Sequence, residues 1–133
     1  MKHLLFIALC SVALGCPHIG EGIEDFTVAH QPWGAAVEVT QSSGTIISGE
    51  LLAVSDSSII ILWSGTVADV PYGRTRSMSF KAAHVRLGSG QRPSSSELER
   101  LRLVSRFPQG MTPDLQVRLL AAYHQKAIVS VNQ

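Results

Sequence analysis

The side chains of this 133-residue chain best suited to chemistry are few: two cysteines, five histidines and a scattering of aromatic and arginine residues. Cys16 stands out because it directly follows Ala13-Leu14-Gly15, while Cys10 lies inside the apolar run Leu4 to Leu14. A thiol at such a boundary is a candidate for covalent modification. His18, His30, His84 and His124 fall at no metal-ligand spacing with another His, Cys or Asp, and no paired cysteines exist to complete a zinc site. No Gly-x-Ser-x-Gly elbow, phosphate-cradling glycine loop or His-Glu-x-x-His helix is present. The expectation is therefore a protein without catalytic residues, cofactor or metal. An enzyme would need acids and bases converging from distant strands. Trp33, Trp63 and Tyr72 have faces suited to stacking on a peptide or glycan, or to capping a core at strand ends. Arg102 and Arg106, a helical turn apart, could touch anionic headgroups or form a solvated helix face.

The setting of Cys16 indicates export. Met1-Lys2-His3 carries the early positive charge, the apolar stretch follows, and Ala13 and Gly15 place small residues three and one positions before the cysteine. That layout is a secretory signal peptide. The apolar run, 11 residues from Leu4 to Leu14, falls short of the roughly 20 needed to cross a bilayer. Cleavage after Gly15 discards Cys10 and leaves one thiol with no intramolecular partner.

The stretch Ala13-Leu14-Gly15-Cys16 resembles the lipobox of bacterial lipoproteins. That resemblance implies a diacylglycerol on Cys16, palmitate-type acylation of the new amino terminus, and a membrane anchor on the exported side of the inner membrane, in the cell membrane or the outer membrane. The family usually has Leu where this chain has Ala13, and Ala-Leu-Gly also suits an ordinary signal peptidase, so a soluble periplasmic or secreted product is the alternative. Acyl chains contribute about 0.8 kcal/mol per buried methylene, enough for two or three to hold a small domain.

The elements that would position the remaining side chains are mostly strands. Residues 17–32 are rich in Gly and acid and read as a tether. "AAVEVT" (35–40) alternates with Val37 and Val39 on one face; "QSSG" is turn chemistry that asks for a positive φ at Gly44. "TIISGELLAV" (45–54) has Gly49 in its middle, a position that marks a bulge or bend. "IIILW" (59–63) is apolar on both faces and so needs cover on both. A loop is expected through Tyr72-Gly73, then "TRSMSF" (75–80), a tight turn at "KAA" and a short strand in "HVRLG" (84–88). Five short strands of this kind describe a small closed barrel.

"SGELLAVSDSSIIILW" (48–63) resembles the second and third strands of Sm-like (SH3-like) small barrels, where a glycine-bent strand ends in an Asp-containing turn. The RNA-contacting Asn of that family is not met, since Asp56 is followed by Ser57, Ser58 and Ile59. The resemblance implies a fold and no nucleic-acid ligand, and it leaves Asp56 as a turn former.

Residues 89–95 read as a linker and residues 96–133 as a helical appendage. Ser96 and Glu99 fit a capping box for a helix carrying Leu101, Val104 and Phe107 on one side. Thr112-Pro113-Asp114 begins a second helix, with Leu115, Leu119, Ala122 and Tyr123 at helical spacing. "AIVSV" (127–131) suits a last short strand or a tail. Because one barrel interior cannot hide both faces of Ile59–Trp63, the helices are expected outside, against either Ile60 and Leu62 or Ile59 and Ile61. The alternative cover is another molecule.

Charge is lopsided. Pro17 to Pro71 holds seven acids and no Lys or Arg, whereas the stretch from Tyr72 onward carries a net charge of plus seven. Such a layout makes a basic surface for anionic lipid or polymer, or, if the halves interleave, pairs of opposite charge. Interleaving is the expectation. The expected organisation is thus a signal peptide (1–15), tether (16–32), mainly β five-stranded barrel (33–88), linker and two amphipathic helices. The expected role is a lipid-anchored, non-catalytic interaction or structural module of the cell envelope, with a membrane and an envelope protein as candidate partners. A soluble ligand binder comes second and a small envelope enzyme third.

Overall fold

Val37 and Val39 point to one side of the first strand, β1 (Ala36–Gln41), and that alternation sets the inside of the whole fold. A computed structural model of the chain describes residues 33–131; the leader, Cys16, the tether, His18 and His30 lie outside the described residues. Six further strands follow β1: β2 (Ile46–Val54), β3 (Ser58–Trp63), β4 (Thr66–Pro71), β5 (Thr75–Phe80), β6 (Val85–Leu87) and β7 (Val129–Ser130). Two helices, α1 (Ser95–Val104) and α2 (Pro113–Ala122), separate β6 from β7. The strands form one mixed sheet in the order β6-β5-β1-β2-β3-β4-β7.

The five-stranded closed barrel is therefore corrected to a seven-stranded sheet that no ladder closes. Two strands make the difference. The expected loop after Trp63 is instead a two-residue turn at Ser64 (φ 48°) and Gly65 (φ 77°), followed by β4. Both positive φ values suit the twist of a tight antiparallel hairpin. Each residue of β3 pairs with one of β4, from Ser58 with Pro71 to Trp63 with Thr66. Val67, Ala68 and Val70 are buried there. The other addition, β7, runs parallel to β4 because the chain reaches it by crossing the outer face, and Val131 N–H donates to the Asp69 carbonyl at 2.9 Å.

The inner face gathers one core. Val39, Leu51, Ile59, Ile61, Phe80 and Leu87 meet there with Tyr72, and α1 inserts Leu101 and Val104 into the same cluster. The outer face of β2–β4 carries a second cluster, in which Leu52 and Val67 are fully buried against Leu119 and Leu120 of α2. Ile60 and Leu62 face outward into this cluster and Ile59 and Ile61 inward. Helix α2 thus covers the outward face of β3, while α1 joins the inner core. On α2, the stripe falls on Leu119 and Leu120 with Tyr123, and Ala122 is exposed.

Residue Leu52 reaches the outer cluster through a bulge, since the β2–β3 register shifts between Leu51 and Ala53. The bulge lies there and not at Gly49. Glycine at 49 answers a close approach instead: a Cβ would sit 2.7 Å from the Leu62 carbonyl oxygen. The cap of α1 also differs from expectation. Ser94 and Glu97 form the capping box, two residues before Ser96 and Glu99, with Pro93 buried ahead of it. Glu99 pairs with Arg102. The helix ends at Val104, before Phe107, because the next residues turn to the sheet: Arg106 N–H donates to the Leu51 carbonyl (3.0 Å) and Phe107 N–H to that of Leu52 (2.8 Å).

Candidate functional site

The residues leaving α1 meet those that begin β1, at the point where the amino-terminal 32 residues join the described domain. Ala35 N–H donates to the Val104 carbonyl at 2.8 Å, and Leu51 N–H to that of Ala35 at 2.8 Å. Within this junction Arg106 grips Glu50 with both arms of its guanidinium, Nε to Oε1 at 2.7 Å and Nη2 to Oε2 at 2.8 Å. Gly34 N–H adds a third bond to Oε1 at 2.6 Å. Both side chains are more than four-fifths buried, at 19% and 18% exposure. Such a bidentate, backbone-supported pair is neutralised internally and leaves little charge to offer a ligand. Gly34 cannot carry a side chain, because its Cβ would lie 1.8 Å from the Leu51 carbonyl oxygen and 2.9 Å from Arg106 N. Trp33, about half exposed, lies over the same guanidinium at 5.8 Å from its ring centroid.

Arg102 stays on α1 and spans Glu99 (2.8 Å) and the exposed Asp56 (3.4 Å). Asp56 does not bond the turn in which it sits. Ser55 does so, its hydroxyl accepting from Ser58 N–H at 3.1 Å and donating to the Ser58 carbonyl at 3.0 Å. Beneath this turn Tyr72 is fully buried and donates its phenolic hydrogen to the Ser55 carbonyl at 3.2 Å. Burial pushes the phenol far above its ordinary value, helped by the Asp56 carboxylate and opposed by Arg102. It stays protonated, a structural donor.

The five residues nominated as a binding surface are thus dispersed. Tyr72 is a core residue, Trp63 is partly exposed at the β3–β4 hairpin, Trp33 and Arg106 share the junction, and Arg102 lies by the Asp56 turn. An aromatic groove does not form from Trp33, Trp63 and Tyr72, since burial removes Tyr72 from any surface. Arg102 and Arg106 do not share a helix face, because α1 stops between them.

The larger concavities among the described residues lie elsewhere. One, of about 400 Å³, runs between the end of β2 and the chain before α2, lined by Val54, Ile60, Met111 and the amide side chains of Gln109 and Gln116. The other, of about 560 Å³, lies on β5, the turn Lys81–Ala83 and β6, lined by Ser79, Phe80, Lys81, His84, Val85 and Arg86. Sequence reasoning missed these four polar residues. The available signal was local: Tyr72 to Pro93 holds five bases and no acid. No group of three His, Cys, Asp or Glu side chains able to hold a metal occurs among the described residues. Among them, too, no helix is long and apolar enough to cross a membrane. Searches of protein families, curated proteins and solved structures found no match to this chain.

Proposed function

We propose that this chain is an exported protein anchored by acyl groups on Cys16, and that its folded part is a non-catalytic interaction or structural module of the cell envelope. One observation carries the reading: Ala13-Leu14-Gly15-Cys16 closing an 11-residue apolar run behind a charged start. The junction at Gly34, Glu50 and Arg106 supports it, because a bidentate pair fastens the sheet at the place where an anchored tether would pull. The absence of any catalytic motif in the sequence supports the non-catalytic part.

The test is metabolic labelling with palmitate, combined with cell fractionation of the parent chain and of Cys16→Ser. The expected result is label on the parent, none on the variant, and release of the variant from membranes. Ala13 favours a second reading, a soluble exported protein cut by an ordinary signal peptidase. That reading gains if the parent takes up no label and fractionates as soluble. A chain that keeps residues 1–15 in the cytosol defeats both.

A further inference from the structure

The outer face of the sheet is covered unevenly. Helix α2 lies over the β2–β4 part, whereas the concavity over β5 and β6 is lined by Lys81, His84, Arg86 and Ser79. The strands that carry it are held from the other face by Phe80 and Val85, which belong to the main core. Lys81, His84 and Arg86 are exposed, and none forms an ion pair among the described residues. By contrast, Arg102, Arg106 and Arg118 each meet a carboxylate. Arg100 adds a further positive charge at the same turn, donating to the Ala83 carbonyl at 3.3 Å.

A left-handed residue closes the turn under this cluster, as Ser64 and His124 do elsewhere. His84 holds φ 51°, a left-handed conformation in which a non-glycine residue is disfavoured, and its N–H bonds the Lys81 carbonyl. Retaining a histidine where glycine fits better is the kind of local cost found at ligand sites. Register supplies the other limit. Ser79 pairs with Arg86 on one side and with Glu38 of β1 on the other. Glu38 lines an adjoining hollow that also includes Ser79 and Lys81. Its carboxylate repels an anion from the β1 side and restricts it to the turn and β6.

We propose that Lys81, His84, Arg86 and Ser79 form a binding site for a phosphate group, carried either by a small phosphorylated molecule or by a lipid headgroup. The site offers a planar guanidinium fork, an ammonium, an imidazole and a hydroxyl around one concavity, a donor set matched to the several oxygens of a dianion. This inference stands apart from the anchoring of Cys16.

The test uses the purified full chain, ¹⁵N-labelled and titrated with inorganic phosphate at constant ionic strength. Saturable amide shifts centred on Ser79–Leu87 are expected. Lys81→Ala with Arg86→Ala weakens binding about tenfold or more, as expected for lost charge-assisted hydrogen bonds. Arg76→Ala, on β5 but outside the cavity lining, leaves it unchanged, and Glu38→Gln tightens it. Thermal unfolding of each variant reports whether the fold is intact.

A second arm mixes Cys16→Ser, which cannot be acylated there, with phosphatidylcholine vesicles lacking or containing phosphatidic acid. Binding that requires phosphatidic acid and is lost in the Lys81/Arg86 variant identifies the headgroup as the source. Saturation by inorganic phosphate alone identifies a soluble phosphate compound. The proposal is overturned if neither probe gives saturable binding, or if binding survives in the folded double variant.

Discussion

Glu50 accepts three hydrogen bonds in a space that admits little water, so its removal strands the Arg106 guanidinium and the Gly34 amide together. Breaking one partner of a buried pair is costly mainly because the other is left uncompensated. Glu50→Ala is expected to lower unfolding free energy by about 2–3 kcal/mol, at the low end for such pairs because some exposure remains. Glu50→Leu combined with Arg106→Met should recover most of that loss, as measured by urea denaturation. His84 gives the opposite case. Its left-handed backbone costs about 1–2 kcal/mol, and glycine would relieve that while raising the entropy cost of folding by roughly 0.5–1 kcal/mol. His84→Gly is therefore expected to change stability by less than about 1 kcal/mol while weakening phosphate binding. A large loss of stability would mean that the imidazole serves the fold.

Helix α1 depends on its ends more than on its length. Ser94 accepts from Glu97 N–H, and the Glu97 carboxylate accepts from both the backbone and the hydroxyl of Ser94. Those two bonds hold the Glu97 carboxyl below its ordinary 4.5. A carboxyl depressed in the folded state stabilises it above the unfolded value, and that contribution is lost as pH falls through the folded one. Ser94→Ala is expected to cost about 1 kcal/mol at neutral pH. Glu97→Ala should cost roughly 0.5 kcal/mol after screening by solvent. The Glu97→Ala curve should approach that of the parent as pH falls from the ordinary value of 4.5 through the lowered one, as followed by thermal unfolding across pH. At the far end of the helix the sequence continues amphipathically to Phe107, but two backbone amides are worth more to the bared edge of β2 than to another helical turn.

For the whole molecule, the two outward clusters of charge and apolar surface decide what the fold can expose. Acids of the amino-terminal half meet bases of the carboxy-terminal half at Glu50–Arg106 and Asp56–Arg102, so the lopsided charge is partly neutralised by interleaving. The concavity over β5 and β6 gathers Lys81, His84 and Arg86 without such a match. Helix α2 and β7 complete the sheet from outside, burying Leu52 and Val67 and pairing the edge of β4. A chain ending at Gly110 should retain the inner core yet expose that apolar face and strand edge, a combination that drives association. Sedimentation velocity is expected to show the parent monomeric and the truncated chain aggregated; a monomeric truncation would show the outer cluster to be dispensable.

Alternation told that Val37 and Val39 share a face, and cap chemistry that Thr112-Pro113 starts a helix. Those features are local: period, turn residues and caps act within a few positions, and so can be read from the chain in order. What lay beyond reach needed distant partners. The short strand β4 is defined by pairing with β3, β7 by a parallel contact across the outer face, and the end of α1 by carbonyls of β2. The nominated surface of Trp33, Trp63, Tyr72, Arg102 and Arg106 dispersed for the same reason. Residue type announces what a side chain can do, but which side chains stand together is decided by hydrogen bonds and packing between residues dozens of positions apart.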